Sequence, residues 1–160
     1  MAAGHPGQLA RWIALATPLA LLGGAYLSQY GFGLVPCEMC WWQRYAHFAA
    51  LAVALVAVQQ PRQALPAVLA GLAIAVAGAI GAYHAGVEYH WWKGLTECSA
   101  NSIAGSADPL DAIMNAPLVR CDAVQWSLFG ISLAGWNFLI STLAAASIFL
   151  LLARSAKPEP

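Results

Sequence analysis

Charge is what this sequence has least of. Only 9% of its 160 residues are Asp, Glu, Lys or Arg, against roughly 25% in a soluble domain, which excludes an ordinary water-soluble fold. The formal net charge is zero, so the basic surplus that marks nucleic-acid binding is missing and no nucleic-acid partner is expected. The first apolar stretch lacks a signal-peptide layout. Gly31-Phe32-Gly33 is a poor cleavage site beyond it, and the stretch is expected to stay as a membrane helix. Zinc-knuckle spacing is lacking too: beyond Cys37 and Cys40, the remaining cysteines are Cys98 and Cys121, so no metal is expected. What is abundant is apolar: 61% of the chain is hydrophobic. That describes an integral membrane protein, with residues 1–160 as a single domain.

The apolar pattern predicts an all-α membrane protein, a four-transmembrane-helix bundle with helices at about 10–30, 41–58, 64–85 and 126–153. Loops at 31–40 and 86–125 join them on one side, and Gln59-Gln60-Pro61-Arg62-Gln63 forms a tight turn on the other. Pro18 should bend the first helix, while Ala20 and Gly24 have the spacing of a close helix contact. Gly71, Gly78 and Gly81 should let the third helix pack tightly. Asp108 and Pro109 can start a short amphipathic helix carrying Leu110, Ile113 and Met114, lying in the interface. Arg11, Arg62, Arg154 and Lys157 share one side of this arrangement. The positive-inside rule then puts both termini in the cytoplasm and all four cysteines on the oxidising side.

Pro36-Cys37-Glu38-Met39-Cys40-Trp41-Trp42-Gln43-Arg44 is the centre of the chain. A helix beginning near Cys40 places Cys40, Arg44 and His47 on one face. A helix N-terminus and a nearby cation both favour a thiolate. A guanidinium there can also hydrogen-bond a quinone carbonyl. An intramembrane arginine costs ~2.5–3.5 kcal/mol unless something compensates it. The plainer alternatives are a structural disulfide, half a zinc site, an arginine that snorkels to the headgroups, and, for His47, a packed, hydrogen-bonded side chain. His84 should lie level with the motif and donate to the same ligand, or sit there as an ordinary interfacial histidine. Trp41, Trp42, Trp91, Trp92 and Trp126 suit an aromatic belt, and Asn137 suits an interhelical hydrogen bond.

Cys-x-x-Cys-Trp-x-Gln-Arg at 37–44 closely resembles the bacterial disulfide bond formation protein B (DsbB) family. So does Cys121-Asp122-x-x-x-Trp126-Ser127-x-x-Gly130-x-Ser132-x-x-x-Trp136-Asn137. The resemblance implies a four-helix membrane bundle that oxidises a periplasmic DsbA-type thiol oxidase and passes the electrons to ubiquinone, or to menaquinone under anaerobic conditions. Such a relay keeps the bacterial periplasm oxidising. It implies that Cys37 and Cys40 form the quinone-facing pair, with Cys40 nearest the quinone and Arg44 in the quinone site. It implies that Cys98 and Cys121 exchange with the partner, Cys98 forming the mixed disulfide. His84 is a further match to the cofactor site, and His47 lies one turn beyond Arg44. Two rival readings remain: a vitamin K epoxide reductase-like thiol–quinone enzyme, whose cysteine order fits less well, and a non-enzymatic four-helix scaffold clamped by disulfides.

Overall fold

The computed structural model describes residues 5–94 and 119–156. Cys98 and the expected interfacial helix at Asp108–Met114 lie outside them. Among these residues four helices carry the fold: α1 His5–Phe32, α2 Glu38–Gln59, α3 Leu65–Glu88 and α4 Leu133–Ser155. α1 packs on α2 and α4, and α3 packs on the same two, so the helices form a ring in which α1 and α3 touch only lightly. Three of them, α1, α3 and α4, are long and apolar enough to cross a membrane. α2 carries Gln43, Arg44 and His47 on its inner side, all buried. These side chains need partners inside the protein, and the neighbouring helices supply them.

The core divides into two. Near the termini, Ala10, Ala14, Ala50, Ala54, Ala57, Ala67 and Ala70 pack with Ile74, Ile148 and Leu152. Such small side chains let backbones approach closely. The α3–α4 seam goes further. A Cβ on Gly71 would meet Phe149 at 3.1 Å, one on Gly78 would meet Ser141 at 3.0 Å, and one on Gly81 would meet Asn137 Nδ2 at 2.8 Å. Arg11 closes this end by donating from Nη2 to Pro61 O at 2.6 Å, tying α1 to the α2–α3 turn. The second cluster, at the opposite end, gathers Cys37, Met39, Val87 and Cys121 under Trp42, Tyr83 and Val119.

Two expectations need correction. The stretch 126–132 is not helical: Ser127–Leu128 (β1) and Ile131–Ser132 (β2) pair antiparallel around a Phe129-Gly130 turn. Both turn residues have positive φ, 53° and 77°, the backbone of a tight two-residue hairpin. α4 starts only after Ser132, whose hydroxyl accepts from Gly135 N at 3.1 Å as an N-cap. Ala20 and Gly24, in turn, make no close helix contact among the described residues. Both are exposed, a Cβ on Gly24 would meet nothing within 4 Å, and the space they open belongs to a cavity. Smaller shifts follow from capping. α2 begins at Glu38, so Cys37 is its N-cap. α3 continues to Glu88 and ends with His90 at φ 59°. There Trp91 N donates to Gly86 O at 2.8 Å and His90 N to Val87 O at 3.1 Å, a Schellman closure with histidine where glycine is usual. Pro18 stays inside a continuous α1.

Candidate functional site

The start of α2 places the first two sulfurs. Pro36 feeds the chain into Cys37, whose carbonyl accepts the first helical bond from Trp41 N at 3.2 Å. Cys40 therefore lies in the first turn, at the positive end of the helix dipole. The two are thiols in this structure, with Sγ atoms 3.3 Å apart. Cys37 is fully buried and Cys40 partly so. From α3, His84 Nε2 approaches Cys37 Sγ to 3.5 Å. From the segment ahead of the hairpin comes Cys121, which is also buried. The Cys37 sulfur, a His84 ring nitrogen and the Cys121 sulfur all lie within 4.8 Å of one another. The exposed Arg120–Asp122 pair flanks Cys121 with a two-pronged contact at 2.8 and 2.6 Å. The Arg120 guanidinium holds the Asp122 carboxyl below its ordinary range.

Beneath the sulfurs runs a buried polar chain. Gln43 Nε2 bonds Met39 O at 3.2 Å and His84 Nδ1 at 2.9 Å. Asn137 Nδ2 donates to Gln43 Oε1 at 2.7 Å and to Ala77 O at 3.0 Å. Asn137 Oδ1 meets His47 Nε2 at 2.8 Å and accepts from Ser141 Oγ at 3.1 Å. Side chains of α2, α3 and α4 are thus joined through two amides. Glu88 adds a buried carboxylate, its Oε1 3.7 Å from His84 Nε2.

Arg44 turns away from this chain. It donates from Nη1 to Gln29 Oε1 at 2.6 Å and from Nη2 to Ala25 O at 3.1 Å, both on α1. Its guanidinium lies over the rings of Tyr26 and Trp41, at 4.8 and 4.9 Å. The compensation that a buried arginine requires therefore comes from α1 and two aromatic faces.

Cys37, Cys40, Gln43, Arg44, His47 and His84 all line one cavity of about 320 Å³. Its other wall is mostly apolar, from Ala20, Leu21, Gly24 and Ala25 of α1 and from the hairpin and α4. Its size and mixed lining are those of a small-molecule site. The lining residue His47 keeps its Nδ1 buried with no partner among the described residues. With Nε2–H given to Asn137, that atom is an acceptor suited to a ligand hydroxyl. A quinone ring, apolar with carbonyl oxygens that only accept, would fit the donors of this wall, and its hydroquinone form, with two hydroxyls, would fit the Nδ1 acceptor.

Cys37, Cys40, Cys121 and His84 thus meet at one end, with Arg44 and His47 on the same cavity. Cys98 lies outside the described residues. Neither Gln43 nor Glu88 is marked for this site by sequence pattern alone. Gln43 stands three residues after Cys40 within the motif, and Glu88 four residues after His84, one helical turn in each case.

Comparison with known proteins agrees with the motifs. The family model described as "Disulfide bond formation protein DsbB" matches residues 7–151. Among curated relatives, the disulfide bond formation protein B of Verminephrobacter eiseniae is 31% identical over 159 residues, covering 95% of this chain and 89% of the relative. The proteins of that name from Actinobacillus pleuropneumoniae, at 30% identity over 93% of this chain and 88% of the relative, and from Pasteurella multocida, at 31% over 92% and 89%, are similar over the same extent. No solved structure matches. With a match of that length over a membrane bundle that brings its motif cysteines together, the chain belongs to the disulfide bond formation protein B (DsbB) family.

Proposed function

We propose that this protein oxidises a soluble periplasmic dithiol protein of the DsbA type and delivers its electrons, through two cysteine pairs, to a membrane quinone. The observation that carries the reading is the placement of Cys121: its sulfur lies within 4.8 Å of the Cys37 sulfur, which is 3.3 Å from Cys40 on the cavity wall. The partner's thiolate attacks Cys98 of a Cys98–Cys121 disulfide and expels the Cys121 thiolate. Cys121 attacks Cys37 of a Cys37–Cys40 disulfide and expels the Cys40 thiolate. The partner's second thiol then displaces Cys98, leaving the partner oxidised. Cys98 attacks Cys121, re-forming the loop disulfide and expelling the Cys37 thiolate. The Cys37 and Cys40 sulfurs re-form their disulfide as two electrons leave at the cavity. A quinone held there supplies a two-electron, two-proton acceptor, so one dithiol and one quinone become one disulfide and one hydroquinone.

The chain's own residues set the conditions. The α2 N-terminus faces the Cys40 thiolate. Arg44, fixed by Gln29 and Ala25, presents a positive charge to an oxygen that gains electron density. The apolar wall keeps water from the sulfurs, and α2 completes a fourth span with its polar face turned inward. A partner at roughly −120 mV leaves few disulfides able to reoxidise it, whereas a quinone drains the electrons.

The test is quinone reduction by purified protein supplied with a reduced DsbA-type protein or with a small dithiol. Turnover with the protein partner should need all four cysteines. Cys98→Ser and Cys121→Ser should retain quinone reduction driven by the small dithiol. Quinone-independent oxidation of the partner, or equal loss in all four variants with the small dithiol, would overturn the reading.

A further inference from the structure

Cys37, His84 and Cys121 place two sulfurs and a ring nitrogen close enough to share a metal ion. The Cys37 Sγ to His84 Nε2 separation of 3.5 Å is about what two ligands of one tetrahedral zinc require. The polar chain beneath decides against it. A ligating Nε2 carries no proton, so the ring proton must move to Nδ1. Nδ1 faces Gln43 Nε2 at 2.9 Å, and two N–H groups cannot bond each other.

Gln43 is not at liberty to turn its oxygen round. Its Nε2 also meets Met39 O at 3.2 Å, so a reversed amide would set oxygen against a carbonyl. The reversed Gln43 would also turn its Nε2 toward Asn137 Nδ2, which now bonds its oxygen at 2.7 Å. Asn137 is itself held by Ala77 O at 3.0 Å. Two backbone carbonyls, which carry no proton and cannot reverse, thus fix both amides and through them the histidine.

We infer that Gln43 is a positioning residue that fixes the ring proton of His84 on Nε2, aimed at the Cys37 sulfur, and so withholds His84 from metal binding beside Cys37 and Cys121. The consequence for exchange rests on the function proposed above. When Cys98 attacks Cys121, the departing Cys37 thiolate meets an N–H already pointed at it, and a hydrogen bond to an ionised sulfur is stronger than one to a thiol. The three groups that serve exchange would otherwise form a trap for thiophilic cations in the reduced protein. Glu88 Oε1, 3.7 Å from the same nitrogen, can share the proton but does not alter which nitrogen bears it.

The experiment uses full-length reduced protein in lipid with ring-15N histidine, His84 being assigned from the signal lost in His84→Gln. Wild type should show a protonated Nε2 and an unprotonated, hydrogen-bonded Nδ1. Gln43→Glu puts an oxygen opposite Nδ1, so that nitrogen should become protonated. Cobalt(II) is the metal probe, read by its sulfur charge-transfer absorption. A carboxylate behind a ligating histidine changes metal affinity by roughly 10–100-fold, so Gln43→Glu should bind cobalt at least about tenfold more tightly than wild type. Adding Cys37→Ser removes one of the two sulfur ligands and should reverse that gain in affinity. Should Gln43→Glu not fold, Asn137→Asp removes the N–H that holds Gln43 and should likewise admit a protonated Nδ1. A protonated Nδ1 in wild type overturns the inference, as does a variant whose tautomer and cobalt affinity are unchanged. None of these readings involves quinone turnover, so they stand or fall apart from the electron route.

Discussion

Replacing Asn137 by leucine should weaken the bundle more than any single conservative change on α4. Asn137 makes four hydrogen bonds, at 2.7, 3.0, 2.8 and 3.1 Å, and is 8% exposed. Ser141 can rotate its hydroxyl elsewhere, and Ala77 O is already an acceptor within α3. Among the described residues Gln43 Oε1 and His47 Nε2 have no such relief, and His47 Nδ1 is unpartnered already. A buried polar group left without a partner costs about 1–3 kcal/mol, whereas a single side-chain bond between membrane helices averages only about 0.6 kcal/mol, with a maximum near 1.7. Two orphaned atoms under these bounds give about 2–3 kcal/mol. Unfolding in mixed micelles of rising dodecyl sulfate content, followed by tryptophan fluorescence, measures the difference, with Ser141→Ala as the mild control. A loss below about 0.5 kcal/mol for Asn137→Leu would mean that the amide chain does not hold α2, α3 and α4 together.

Gly81→Ala sets a methyl 2.8 Å from Asn137 Nδ2 and 3.0 Å from Ala134 O. It should cost about 1–3 kcal/mol and combine less than additively with Asn137→Leu in the same unfolding assay. Arg44→Lys keeps the charge but loses the fork that spans Gln29 and Ala25. A charged hydrogen bond is worth about 1.5–3 kcal/mol, so quinone KM should rise about tenfold or more in folded protein. An unchanged KM would leave Arg44 as an anchor between α1 and α2. At Asp122, Arg120 depresses the carboxyl. That contribution is present above the ordinary aspartate value of ~3.9 and is lost as pH falls through the lower native one. A 13C titration should find Arg120→Gln moving Asp122 back toward the ordinary value, with no stability difference that depends on pH between about 6 and 8.

The helices were legible because mostly apolar residues fill such long runs, and capping then moved their ends by a few residues. The α4 start was not. Trp126-Ser127-Leu128-Phe129-Gly130-Ile131-Ser132 is apolar enough to read as helix, and its turn has phenylalanine where Asn or Asp normally announces a hairpin. Helical spacing put Cys40, Arg44 and His47 on one face of a helix, and all three line one cavity. It could not show that the guanidinium would turn to α1, because Tyr26 and Gln29 stand far from it in the chain. The meeting of Cys121 with Cys37 depends on how a distant segment lies over the helix ends, which no local pattern encodes. Asn137 was legible as an interhelical bond. Gln43, its partner, passed as a motif letter because its role exists only once α2, α3 and α4 are assembled.

The central claim is that Cys121 hands its electrons to Cys37. A protein bearing Cys40→Ser and Cys98→Ser keeps only these two cysteines, whose sulfurs lie within 4.8 Å of each other. Mild oxidation in lipid, followed by alkylation and peptide mass mapping, should give a rapid Cys37–Cys121 cross-link within a single chain, at a rate independent of protein concentration. Two thiols that stay alkylatable under the same conditions, or links that form only between chains, would contradict the account.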